Sequence, residues 1–144
     1  MMTFEDTTEV IDNRWATNPT WSKREALQSC DYKETQVILL AWLDSEVLSG
    51  GLVKWVDGYA DFLEDTVSAL MKVSEASENG NGCVALQVAS KLQSATPQLY
   101  DILTDDDGDL GYDEADAISV PFDDWYFCID KELEYEIEVW LNSF

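Results

Sequence analysis

The chain has 144 residues, with 30 acidic and 8 basic side chains, no histidine and a net charge of −22. Its 46% apolar content and six tryptophans exclude intrinsic disorder despite the charge, and its length fits one domain spanning 1–144. Lacking histidine, it lacks the usual general base and the commonest zinc ligand, and so much negative charge repels nucleic acid and anionic lipid.

The start, Met1-Met2-Thr3-Phe4-Glu5-Asp6, has neither the basic nor the apolar region of a signal peptide. Residues 33–48 read as a helix. Val37, Ile38, Leu40, Ala41, Leu43, Val47 and Leu48 leave it few polar faces, which makes it the central buried element. Gly50-Gly51 ends it, and a short helix from Leu52 to Val56 runs to a break at Asp57-Gly58. Residues 61–76 are amphipathic, with Leu63, Val67, Leu70 and Met71 on one stripe. Asn79-Gly80-Asn81-Gly82 is a turn signal. Cys83 to Leu92 reads as a further helix, and Pro97 as the first turn of a short one ending near Thr104.

Residues 105–121 are expected to form an acidic loop with one helical turn from Glu114 to Ile118. Asp123-Asp124 should cap a helix carrying Trp125, Phe127 and Ile129. A last helix, Lys131 to Leu141, places Leu133, Ile137, Trp140 and Leu141 on one stripe, with Glu132/Glu136 and Glu134/Glu138 on either side. No strand is signalled, and no run of about 18 apolar residues suggests a membrane span. The expected fold is an all-α, compact, single-domain multi-helix bundle. Cys30, Cys83 and Cys128, odd in number and far apart, read as small buried hydrophobes in a reducing cytoplasm.

The charge is uneven. Residues 1–100 hold 15 acidic and 7 basic residues; residues 101–144 hold 15 acidic residues and only Lys131. A halophile's uniformly acidic composition would spread the excess evenly. The whole charge corresponds to about 37 Å of duplex DNA, close to the diameter expected for a globule of this size. Partner-binding candidates are therefore Asp105, Asp106, Asp107, Asp109, Asp113, Glu114 and Asp116 in the acidic segment, and Asp123 and Asp124 after it. On the last helix they are Glu132, Glu134, Glu136 and Glu138, whose i, i+4 pairs repel and lie about 6 Å apart along the axis, the order of spacing of successive phosphates. Trp21, Trp55 and Trp125 are further interface candidates.

The loop around Gly108 invites a calcium reading, with Asp105, Asp107 and Glu114 at positions three, five and twelve of an EF-hand. Position one, however, is Leu103, which cannot ligate, so no metal or cofactor is expected. For a magnesium-dependent hydrolase the chain lacks a glycine-lysine phosphate cradle and a basic clamp, and no enzymatic activity is expected.

The segment Glu46-Val47-Leu48-Ser49-Gly50-Gly51-Leu52-Val53-Lys54-Trp55-Val56-Asp57 resembles the central motif of a small all-helical family, which reads Asn-Gly-Gly-Phe, then Gln, an aromatic pair and Asn. Gly50, Gly51 and Trp55 match; Ser49, Leu52, Lys54 and Asp57 depart. Thr66 to Leu70 resembles the family's next helix, and Asp123-Asp124-Trp125-Tyr126-Phe127 through Leu133 its closing segment, so the likeness covers about 30–144. The family includes an acidic, dimeric DNA mimic that occupies the DNA-binding face of a helix-turn-helix repressor. The resemblance implies such a role here, as a cytoplasmic, non-enzymatic, possible homodimer that sequesters a basic DNA-binding protein. The alternative is an acidic inhibitor or immunity-type protein that blocks a nuclease or another nucleic-acid enzyme.

Overall fold

A computed structural model describes residues 3–76, 83–104 and 110–143. The described residues form six α-helices and no strand: α1 Phe4–Ala16, α2 Lys23–Gln28, α3 Tyr32–Tyr59, α4 Leu63–Glu75, α5 Val84–Thr104 and α6 Leu110–Leu141. A 3-10 turn, Ala60–Phe62, joins α3 to α4. The expected all-α bundle is thus the observed fold.

Helix α3 is central; Val37, Leu40, Leu43, Val47, Leu52, Trp55 and Val56 are buried, while Ser45, Ser49, Lys54 and Asp57 face solvent. Its apolarity is satisfied inside the protein, against α1, α4, α5 and α6. Asp31 and Glu34 close a reciprocal capping box at its start, with Glu34 N–H donating to Asp31 Oδ1 at 2.8 Å and Asp31 N–H to Glu34 Oε1 at 3.0 Å. A smaller cluster joins α1 and α2 to the outer side of α3: Ile11, Ile38, Leu39, Trp42 and Phe62. Within it Trp42 meets Trp15, Tyr59 and Phe62 at ring-centroid distances of 5.5, 5.3 and 5.8 Å.

The Gly-Gly break is real and sits at Gly51, where φ is +82° and the helical path is interrupted. A Cβ there would also come within 2.5 Å of Asp123 Oδ2, so both the backbone and the packing require glycine. The helix then resumes and runs past Asp57-Gly58 to Tyr59, which corrects the expected stop there.

Two other expectations are overturned by long helices. Pro97 does not start a helix; α5 runs through it. Residues 110–121 are not loop, because α6 is continuous to Leu141 and passes through Pro121. Both prolines lie on exposed faces, as do Gln93 and Ala117, whose carbonyls lose the proline N–H. Water can satisfy those carbonyls, so each proline is tolerated. The turn expected at Asn79 to Gly82, and the part of the expected loop from 105 to 109, lie outside the described residues. Of the cysteines, Cys83 is buried and Cys30 half-buried, but Cys128 is exposed, contrary to expectation.

Candidate functional site

Helix α6 carries most of the candidate carboxylates, and the fold sorts them into two groups. Those in the first group point inward, at the N-termini of other helices. Asp123 Oδ1 accepts the Leu52 N–H at 2.8 Å, and its Oδ2 accepts the Ser119 hydroxyl at 2.9 Å. It therefore caps the half of α3 that restarts after Gly51, seventy-one residues earlier in the chain. This corrects the reading of Asp123-Asp124 as the cap of a helix at Trp125.

Glu136 accepts the N–H groups of Val84 at 3.0 Å and Ala85 at 2.9 Å, and also the Cys83 thiol, so it caps α5. Glu138 accepts the Phe4 N–H at 3.3 Å and so meets the start of α1. At the other polarity, the Lys33 ammonium donates to the Leu141 carbonyl at 3.0 Å, at the C-terminal end of α6. Helix N-termini present unsatisfied N–H groups and partial positive charge, which draw carboxylates. Part of the charge concentration of α6 is thus explained by the needs of α1, α3 and α5.

The second group faces solvent: Asp113, Glu114, Asp116, Asp124 and Glu132 are exposed. Glu134 is half-buried and meets Lys131 at 3.6 Å. Asp105, Asp106, Asp107 and Asp109 lie outside the described residues, as does most of the calcium reading built on them. Among the described residues no group of three His, Cys, Asp or Glu side chains could hold a metal ion.

The same outer face of α6 also exposes apolar side chains that the sequence reading did not single out. Val120, Phe127, Tyr135 and Val139 are all exposed, Phe127 by 55% and Tyr135 by 69%. Their spacings of seven, eight and four residues return them to one side of the helix. The signal was present in the sequence: Leu133, Ile137, Trp140 and Leu141 already fill the inner stripe, which leaves Tyr135 and Val139 outside it.

Burial shifts two acids, Asp123 and Asp44. It pushes the Asp123 carboxyl above its ordinary value, against the pull of the Leu52 N–H and the Ser119 hydroxyl. Burial does the same to Asp44, against the hydrogen bond from the Tyr126 hydroxyl at 2.8 Å. Tyr126 itself is pushed well up by burial, helped by the Asp44 charge.

Most of the chain's own cations are held elsewhere in the fold, while Lys131 stands exposed on α6 itself. All eight Lys and Arg side chains make contacts within the fold. Arg14 forks onto Glu34 at 2.8 and 3.0 Å, Arg24 meets Asp65 at 3.1 Å, and Lys54 meets Glu46 at 3.5 Å. Lys23 lies over the Tyr59 ring, Lys72 over Tyr32 and Lys91 over Trp125. Lys33 and Lys131 complete the set, at Leu141 and Glu134. Of the interface candidates, Trp55 is fully buried in the core, which removes it; Trp21 and Trp125 are half-buried.

No family model matches the chain, and neither a curated protein nor a solved structure matches it.

Proposed function

We propose that the protein is a non-enzymatic binding protein that acts as a DNA mimic, sequestering a basic DNA-binding protein of the helix-turn-helix kind through its acidic surface. One observation carries the reading: Asp113, Glu114, Asp116, Asp124 and Glu132 are exposed on α6, a helix whose sequence holds one cation, Lys131. Unneutralised carboxylates on one rigid element offer a cationic surface what phosphates offer it. The central Gly50-Gly51 motif, whose likeness to the DNA-mimic family is given above, supports the same role.

The test is affinity capture on the immobilised protein at low salt, followed by elution with duplex DNA. A mimic releases a DNA-binding protein to the duplex, because both occupy one site. A captured protein that binds DNA and this chain at the same time defeats the proposal.

A further inference from the structure

The outer face of α6 is not a pure charge track. Val120, Phe127, Tyr135 and Val139 are exposed apolar side chains spread over about 28 Å of the helix, at 1.5 Å per residue, with Lys131, which meets Glu134, standing between Phe127 and Tyr135. Asp116, Asp124 and Glu132, each eight residues from the next, run beside and between them. Phosphate mimicry alone needs no such apolar side chains. Large exposed apolar side chains set among charges on one helix face are a feature of protein-binding surfaces.

We infer that this face docks a cationic amphipathic helix, whose apolar row lies on Phe127 and Tyr135 while its Lys or Arg side chains meet Asp116, Asp124 and Glu132. The inference rests on the reading of the acidic face as a partner surface and adds the chemistry of the partner's contacting element. Charge selects the occupant. A second copy of this chain would bring a net −22 and its own Asp116, Asp124 and Glu132 against the same residues, and such like-charge contacts are strongly unfavourable. A basic helix brings the complement, and helix-on-helix packing uses the spacing that these side chains already have.

The probe is a fluorescent Leu/Lys peptide of about 18 residues, long enough to cover this face as a helix, with leucines at i, i+3, i+4 and i+7. A second peptide has the same composition with its leucines spread around the helix. Against the full chain the amphipathic peptide should bind on the order of tenfold or more tightly than the spread one. Amide chemical-shift changes should centre on residues 120–139. Phe127→Ser with Tyr135→Ser should abolish the preference but leave binding of the spread peptide unchanged. Both side chains are largely exposed, so the variant should fold, and the wild-type shift map tests the site without it. Asp124→Asn with Glu132→Gln should weaken both peptides.

Equal binding of the two peptides would overturn the docking inference while leaving the electrostatic reading standing. Failure of both peptides to bind at low salt would remove both. Sedimentation showing a wild-type dimer that the Phe127→Ser, Tyr135→Ser variant loses would assign this face to a second copy and overturn the inference.

Discussion

The carboxylate of Glu136 holds the first N–H groups of α5, and its removal should cost more stability than any other acid-to-neutral change on the last helix. In Glu136→Ala the Val84 and Ala85 N–H groups, partly shielded from water, lose the carboxylate that caps them, at about 1 kcal/mol each. Lost interaction with the helix dipole, a few tenths, is offset by relief of the repulsion with Glu132. The net cost is about 2 kcal/mol. At about 3 °C per kcal/mol for a domain of this size, thermal denaturation followed by circular dichroism should show a fall near about 6 °C. Glu136→Gln keeps one acceptor but turns amide hydrogens toward backbone donors, so it should lose roughly half as much. Glu132→Ala, on the exposed side, should stay within about 0.5 kcal/mol of wild type. Hydrogen exchange should localise the effect, with the Val84 and Ala85 amides losing protection in the Glu136 variants. Equal melting temperatures for Glu136→Ala and Glu132→Ala would refute the assignment of Glu136 as the α5 cap.

Gly51→Ala forces an L residue to φ near +82° and pushes a Cβ against Asp123, so it should destabilise by about 2–4 kcal/mol in urea titration. Asp123→Ala, which frees the Leu52 N–H without steric conflict, should cost less, about 1–2 kcal/mol in the same titration. Asp44→Asn retains an acceptor for Tyr126 and relieves a buried charge, so its melting temperature should match or exceed wild type; Asp44→Ala orphans the Tyr126 hydroxyl and should lower it by several degrees, at about 1–3 kcal/mol. Acidification should first raise the melting temperature. Asp44 and Asp123 have raised folded-state values, so the stability they withhold at neutral pH returns as pH falls through those values. Glu34 is held low by its hydrogen bond with Arg14, so its contribution is lost only below the ordinary carboxylate range, near pH 4, and the melting temperature should turn down there. A melting temperature that falls steadily from pH 8 would contradict the burial of the two aspartates.

The helical architecture was legible wherever the pattern is local. The stretch from Val37 to Leu48 is too apolar for an exposed helix, and Val37, Ile38, Leu39, Leu40, Trp42, Leu43 and Val47 lie in the core. Gly50-Gly51 marked a true interruption. Pro97 misled because a proline's effect depends on which side of the helix it faces, and that depends on tertiary packing; the acidic run up to residue 121 misled because its composition is that of a loop. The acids were ambiguous for a related reason. Asp123, Glu136 and Glu138 look like Asp124 and Glu132 in the sequence, yet their partners lie on α3, α5 and α1, far away in the chain. No spacing rule reveals a cap supplied across the bundle. The exposed Phe127 and Tyr135 escaped because apolar residues are assigned to cores by default, and only a completed inner stripe shows that they are left over.

The most direct test of mimicry is the salt dependence of association between this chain and a DNA-binding protein captured by it, measured by stopped-flow fluorescence from low to physiological ionic strength. The wild-type association rate should fall steeply as salt rises, and duplex DNA should compete. The variant Asp116→Asn, Asp124→Asn, Glu132→Gln should associate more slowly at low salt and with a shallower slope, while melting like wild type, since these three acids face solvent. A rate indifferent to salt, or one unchanged by removing these three charges, would contradict the proposal that this surface stands in for DNA.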